Sequence, residues 1–179
     1  MSGQVAYTTL WNDLTRRPIG GHRWLTDVEA QSAYGTHSSG LDVVDAVERD
    51  AQGVPRPRWV IGLTAQVNPR VRVRFFHPSG SLWRLIDYDN IGGRLFRWIS
   101  VDYTYPDDAR LYAEFECVMN VAATFRPDGT GIVTIDDKRQ PNIQQATLDG
   151  APVGGYWMNM PAFGHWGQLS DPEYGTPVP

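Results

Sequence analysis

Apolar and polar residues alternate through the middle of the chain. Between positions 58 and 137 apolar residues recur at every second position, which predicts β-strands with one buried and one wet face rather than helices. Short turns such as Pro127-Asp128-Gly129 join the strands, and parallel pairing would need much longer connections. The pattern therefore predicts an antiparallel meander of about six strands, over 59–67, 70–75, 82–88, 94–104, 111–125 and 130–136.

The strand predicted over 111–125 is longer than the usual limit of about 10 residues, so a bend or bulge is expected within it. A sheet of this many short-turned strands is expected to curl strongly or to close into a barrel. The fold class predicted from the pattern is α+β, mainly β.

The N-terminal part, 1–57, favours helix. Thr26-Asp27-Val28-Glu29 has the form of a capping box, and Gly35 is suited to end that helix in the left-handed conformation. A second short helix is predicted after Ser39 as its N-cap, with Gly53 at its end. Its apolar face would hold Leu41, Val44, Val47 and Ala51. The stretch 5–14 is compatible with either strand or helix.

The last part, 138–179, is rich in loops. Its two apolar pieces, 156–160 and 163–169, are expected to cover an edge or an end of the sheet, and 171–179 to form a loose tail. No linker separates this part from the meander, so the chain is predicted to be a single domain over 1–179.

Composition narrows the range of partners. The formal net charge is −4, which gives little attraction to nucleic acid or to an anionic membrane and favours a basic partner or a neutral ligand. One cysteine, Cys117, excludes an intrachain disulfide. Residues 1–14 lack the pattern of a secretory signal and no apolar run is long enough to span a membrane, so a cytoplasmic location is expected.

Motifs that carry chemistry are not found in the sequence. The four histidines, His22, His37, His77 and His165, lack metal-ligand spacing, and Cys117 falls on the apolar face of its predicted strand. The acidic pairs Asp107-Asp108 and Asp136-Asp137 are explained by turns and strand ends. No phosphate-binding loop or catalytic triad can be placed, so we expect a binding protein, not an enzyme, without metal or cofactor.

Three arginines alternate along one predicted strand. Arg70, Arg72 and Arg74 would project from the same face of the sheet. Two interpretations stay open: a solvated sheet face, or a patch for an anion or an acidic partner. Three arginines in an acidic protein are too few to indicate nucleic-acid binding.

Several short strings resemble a known family. They are Leu95-Phe96-Arg97-Trp98, the stretch 102–108, Phe125-Arg126-Pro127-Asp128-Gly129 and the stretch 161–166. In this order they resemble the bacterial immunity proteins that include the immunity factor for tuberculosis necrotizing toxin, an NAD glycohydrolase. The likeness extends over about 58–169 and implies a non-enzyme that binds a cognate toxin inside the producing cell and blocks its NAD site.

Two loops are the candidate toxin contacts. One is small and polar, and the other is a glycine-rich turn; most loops only connect, which is the alternative for both. The candidate residues are Thr36, His37, Ser38, Ser39 and Gly40 in the first loop, and Ile91, Gly92, Gly93 and Arg94 in the second.

Other functions remain open beside toxin binding. The chain is also compatible with a small-molecule-binding β-barrel or a barrel enzyme, which predicts inward-facing polar groups among Trp83, Trp98, Glu114 and Glu116. A third possibility is an interaction module outside toxin biology, since Trp and Tyr are favoured at protein interfaces.

Overall fold

The computed structural model describes residues 5–20 and 23–175, so His22 and the end of the predicted tail, 176–179, lie outside the described residues. Within them the chain forms one α-helix, α1 (Asp27–Thr36), two short 3-10 turns (Glu114–Glu116 and Val153–Tyr156) and thirteen strands. The strands are β1 (Val5–Thr8), β2 (Trp11–Asn12), β3 (Arg17–Pro18), β4 (Trp24–Leu25), β5 (Leu41–Asp45), β6 (Trp59–Leu63), β7 (Val71–Phe76), β8 (Leu82–Ile91), β9 (Arg94–Thr104), β10 (Met119–Phe125), β11 (Gly131–Asp137), β12 (Gln144–Leu148) and β13 (Trp157–Asn159).

A large antiparallel sheet organises the chain. Its strand order is β12-β11-β10-β9-β8-β7-β6-β5-β1-β4, with β13 paired to the first residues of β9 and the β2–β3 hairpin standing apart. The predicted meander of six strands is confirmed as β6 to β11, in sequence order. The expectation of a strongly curled or closed sheet is wrong, because the path ends at β4 and β12 and these two strands do not pair.

The apolar face of the sheet is buried by other elements instead of by closure. Its core includes Tyr7, Val43, Ile61, Val73 and Ile86, and it is covered by α1 and by the C-terminal segment 158–174. On the opposite face the β2–β3 hairpin covers a smaller cluster, formed by Trp11, Val44, Val60, Phe76 and Leu82. Covering the sheet in this way removes its apolar surface from water, so the strands do not need the tilt and stagger that closing a barrel requires.

The predicted second helix is wrong, because its first residues form β5. All five residues of β5 are buried, and the strand pairs with β1 on one side and β6 on the other. A strand covered on both faces needs apolar residues at successive positions, and such a run also satisfies helical spacing. Val47, assigned to the buried helical face, is 52% exposed.

The predicted start of the first helix is confirmed, whereas its end lies beyond the predicted Gly35. The Thr26 hydroxyl accepts a hydrogen bond from the Glu29 N–H (3.3 Å), and the Glu29 carboxylate accepts one from the Thr26 N–H (2.8 Å). The helix continues through Gly35 and ends at Thr36, where His37 takes the left-handed conformation (φ 51°). Among the described residues, no helix is long and apolar enough to cross a membrane.

Two predicted strands are shorter in the structure. The first meander strand ends at Leu63 instead of 67, and the strand predicted over 111–125 begins only at Met119. Residues 111–118 form an irregular segment instead. The Tyr112 N–H donates a hydrogen bond to the Ser81 hydroxyl (2.9 Å), and the Tyr112 ring is buried. Phe115, predicted to face the core, is the most exposed large apolar side chain of the described residues.

The C-terminal part covers the sheet over a longer stretch than expected. Strand β13 continues the line of β10 along β9, while Trp166 and Leu169 are buried against the core. Residues 171–175 are held in place rather than forming a loose tail: the Arg84 guanidinium donates to the Pro172 carbonyl (3.0 Å) and pairs with the Glu173 carboxylate (2.6 Å).

Gly131, the first residue of β11, is a sensitive position of the hairpin. A Cβ there would lie 2.5 Å from the Thr124 carbonyl oxygen, which is backbone and has no room to move. We expect Gly131→Ala to lower the free energy of unfolding by about 1–3 kcal/mol, as overpacking does. Urea unfolding would measure it, with Gly35→Ala as control: a Cβ at this helical glycine meets nothing within 4 Å, and this variant should gain stability. Equal stability of the Gly131 variant and the wild type would contradict the close approach.

Candidate partner-binding surfaces

The strand register defines two ends of the sheet. Residue 41 of β5 pairs with residue 63 of β6, residue 63 with residue 71 of β7, and residue 71 with residue 88 of β8. The segments 36–40, 64–70 and 91–94 therefore lie at the same end of the sheet, which is called here the upper end. The segments 77–81 and 105–118 lie at the other, the lower end. The 11 residues of β9 separate the two ends by about 33 Å.

Both predicted toxin-contact loops lie at the upper end. The first loop leads into β5 and the second follows β8, and these two strands are three strand spacings apart, or about 14 Å. In the first loop the Thr36 hydroxyl donates to the Ser32 carbonyl (2.8 Å) and contacts the Ser38 hydroxyl (2.9 Å), and the His37 ring packs 6.3 Å from that of Tyr34. Ser39 and Gly40 then lead into β5 and are half-buried.

The second loop has the geometry of a tight hairpin turn. Gly92 and Gly93 both have positive φ (60° and 85°), which only glycine adopts freely, and the Gly93 N–H donates to the Asn90 side-chain oxygen (3.1 Å). Ile91 is exposed, and the Arg94 guanidinium lies over the Trp157 ring at 5.4 Å. Hairpin geometry accounts for both glycines, and the assignment of the nine residues as toxin contacts stays a prediction.

The three alternating arginines do share one face, and each meets a carboxylate. Arg70 pairs with Asp89 (2.7 Å), and Arg72 forms a two-pronged pair with Asp87 (2.8 and 2.7 Å). The third, Arg74, has two carboxylate partners: its guanidinium lies 2.9 Å from Asp13 and 3.0 Å from Asp42. The stripe is a ladder of ion pairs on the sheet, not a row of unpaired cations.

The ion pair between Arg74 and Asp42, called here the inner pair, is largely buried. Asp42 also accepts a hydrogen bond from the backbone N–H of Trp11 (2.7 Å), and burial raises the pKa of the Asp42 carboxyl although Arg74 lies beside it. Burial likewise raises the pKa of Asp13. Gly62 on β6 makes room for the pair, because a Cβ there would lie 2.8 Å from the Asp42 carboxylate. A cavity of about 610 Å³ opens beside the ladder, and its lining residues include Trp11 and Trp98.

A segment at the lower end that is held by hydrogen bonds and ring stacking was not predicted from the sequence. The rings of Tyr105 and Tyr112 stack at 5.5 Å, and the Tyr105 hydroxyl donates to the Leu82 carbonyl (2.9 Å). Together with the hydrogen bond from Tyr112 to Ser81, these contacts anchor the segment 105–118 to β8. The segment is called here the acidic-aromatic segment.

Phe115 lies at the tip of this segment and is 86% exposed. The turn that carries it is fixed, because the Glu116 carboxylate accepts hydrogen bonds from the Ala113 N–H (2.8 Å) and from the Arg110 guanidinium (2.7 Å). A groove of about 460 Å³ runs beside Phe115, with the exposed Leu14 on its other wall. An exposed aromatic ring next to an apolar groove is typical of a protein-binding surface.

The charge of the acidic-aromatic segment is negative. It contains four carboxylates, Asp107, Asp108, Glu114 and Glu116, and one cation, Arg110. The Ala109 N–H and the Tyr112 hydroxyl lower the pKa of Asp107, and Arg110 lowers that of Glu116, so both are ionised at neutral pH. The sequence contains a signal for this surface, a phenylalanine between two glutamates at 114–116. It was not recognised because the same pattern fits the alternation of a β-strand.

Other candidate groups from the sequence do not come together. Cys117 is buried, as predicted, and His77 lies 3.7 Å from the Asp108 carboxylate. In the part of the chain that the structure describes, no three His, Cys, Asp or Glu residues are placed to hold a metal ion. With the sheet open there is no barrel interior: Trp83 packs on Phe75, Trp98 lines the cavity, and Glu114 and Glu116 lie at the lower end.

Comparison with protein-family models, with curated proteins and with solved structures finds no match for the chain. The strings on which the predicted resemblance to the immunity family rests fall on different parts of the fold. The string 95–98 belongs to β9, 125–129 forms the β10–β11 turn, and 161–166 lies in the segment that covers the core. The stretch 102–108 runs from β9 into the acidic-aromatic segment.

Proposed function

We propose that this chain is an immunity protein that binds a cognate toxin, an NAD glycohydrolase, and inhibits it by covering its active site. The observation that carries the proposal is Phe115, held almost fully exposed on a rigid, acidic turn. The resemblance over 58–169 supplies the class of partner.

An exposed aromatic side chain on a fixed turn suits an anchor of a protein interface. Such anchors provide most of the binding energy of an interface when they enter a pocket of the partner. Because the hydrogen bonds of Glu116 already order the turn, association would lose little conformational entropy. Inhibition by occlusion requires only a tight stoichiometric complex and no catalytic group on the inhibitor.

The two ends of the sheet are alternative contact surfaces. A standard interface covers about 800 Å² on each partner, a patch roughly 30 Å across, and the two ends are about 33 Å apart. One toxin molecule of ordinary interface size would therefore engage either the predicted loops of the upper end or the acidic-aromatic segment.

The first test is complex formation with an NAD-hydrolysing toxin, sought among the proteins encoded next to this chain's gene. We expect the two proteins to co-elute in one-to-one ratio on size exclusion and the toxin's NAD consumption to stop at equimolar inhibitor. The physical reason is that an occluded site admits no substrate. Separate elution with undiminished NAD consumption would refute the proposal.

A second candidate function is the binding of a small molecule. It is favoured by the cavity of about 610 Å³ beside the arginine ladder, which has the size of a ligand site and includes two tryptophans among its lining residues. On this hypothesis a metabolite would raise the melting temperature of the chain without any protein partner, whereas an immunity protein would be stabilised by its toxin.

A further inference from the structure

We propose that the acidic-aromatic segment enters the substrate cleft of the toxin and imitates a dinucleotide, with Phe115 in the place of a base and the neighbouring carboxylates in the place of the diphosphate. This inference rests on the proposed function and adds to it the contact surface and the chemistry of the toxin's site.

The chemistry of NAD defines what such a cleft must contain. The molecule has aromatic bases at both ends of an anionic diphosphate. A site for it therefore offers at least one apolar slot for a planar ring, with cationic side chains or backbone N–H groups between the slots. A protein segment that fills this cleft has to present an aromatic ring together with negative charge.

The acidic-aromatic segment presents this combination. The single cation, Arg110, is already engaged, since its guanidinium lies 3.8 Å from the centre of the Tyr112 ring and pairs with Glu116. Asp107, Asp108 and Glu114 are exposed and remain available to a cationic partner. Charge and aromatic surface are thus complementary to a diphosphate-binding cleft.

The connected hydrogen bonds make the segment a preformed unit. The Tyr112 hydroxyl donates to Asp107 (2.8 Å), and the Tyr103 hydroxyl lies within 3.4 Å of the Glu114 carboxylate. The tyrosines thereby fix two of the carboxylates that precede Phe115, Asp107 and Glu114, relative to the sheet. Fixed charges steer association and lose little entropy when they pair.

The upper end lacks the same complementarity. Its two predicted loops contain no carboxylate, and the charged side chain they do contain is Arg94. A cleft built for a diphosphate would repel that guanidinium. We therefore assign the contact to the lower end.

Two variants test the segment: Phe115→Ala, and the double variant Asp108→Asn with Glu114→Gln. We expect Phe115→Ala to weaken inhibition of NAD consumption on the order of 100-fold, as loss of an interface anchor does. The double variant should slow association and reduce its dependence on salt. Val28→Ala, which removes an exposed apolar side chain from α1, is the matched control and should inhibit like the wild type. Each variant's melting temperature should match the wild type.

Competition with substrate completes the test. The apparent inhibition constant of the wild type should rise linearly with NAD concentration. If a complex forms but Phe115→Ala inhibits fully, or if His37→Ala abolishes inhibition instead, the segment is not the inhibitory element while the immunity function stands. If the wild type forms no complex with the toxin, both proposals fall together.

Discussion

Replacing Arg74 with methionine is expected to lower the free energy of unfolding by about 3–5 kcal/mol at neutral pH, the cost of breaking a buried ion pair from one side. The Arg74 side chain is only 14% exposed, and its single positive charge pairs with the carboxylates of both Asp13 and Asp42. Without it, two carboxylates would remain close together in a site that already disfavours their charge. Urea unfolding at pH 7.5 would measure the loss.

The same variant should be sensitive to pH in a defined direction. Burial already raises the pKa of Asp13 and Asp42 from the ordinary 3.8, and removing the guanidinium would raise both further. A group with a raised pKa binds its proton more tightly in the folded protein, so its contribution to stability is present at low pH and lost as pH rises through the folded value. The difference in the free energy of unfolding between wild type and Arg74→Met should therefore shrink as the pH falls from 7.5 to 4.5.

Arg70→Met is the control for this experiment, because it removes an arginine of the same ladder from an exposed position. Arg70 is 65% exposed and its partner Asp89 also contacts solvent, so the loss should stay below about 1 kcal/mol. Equal losses for the two variants, or a deficit of Arg74→Met that does not change with pH, would show that the inner pair does not behave as a buried pair.

Trp166→Ala is expected to lower the free energy of unfolding by a similar amount, about 3–5 kcal/mol, because it truncates a buried aromatic side chain. Its ring meets those of Tyr34 (5.5 Å) and Phe163 (5.8 Å) edge-on, and its indole N–H lies 3.5 Å from the Tyr7 hydroxyl. The substitution would leave a cavity between α1, β1 and the C-terminal segment, so unfolding by urea should begin at lower concentration.

Phe115→Ala provides the contrast for Trp166→Ala, since it also removes an aromatic ring. Its side chain is largely in water, and we expect a change within about 0.5 kcal/mol. A small loss for Trp166→Ala would mean that the C-terminal segment contributes little to the core. A large loss for Phe115→Ala would mean that the ring is structural and not a free anchor.

Local signals predicted the parts of the fold that depend on neighbouring residues. The capping box of Thr26 and Glu29 and the turn at Asp128-Gly129 involve residues within a few positions of each other, and both appear in the structure. The run from Leu41 to Asp45 was wrongly predicted to begin a helix, because its apolar spacing suits a helix as well as a strand that is covered on both faces. Pairing with β1 and β6 decides between them, and that information lies elsewhere in the chain.

The candidate sites were predictable only in part for the same reason. Alternation placed Arg70, Arg72 and Arg74 on one face, but their partners come from other segments of the chain, and Asp13 lies 61 positions before Arg74. The exposure of Phe115 follows from the stacking of Tyr112 on Tyr105, which inverts the alternation expected for a strand. A contact between two tyrosines across an irregular segment leaves no periodic trace in the sequence.

The open path of the sheet has a consequence for how the protein behaves when concentrated. The edge at β4 is only two residues long, whereas β12 presents five residues, four of them exposed, without a charge or a proline among them. One side of β12 carries N–H and C=O groups that the sheet itself does not use. Proteins usually protect such an edge, since it is a template for a strand from another molecule. Intermolecular pairing, and with it aggregation, should therefore start at β12.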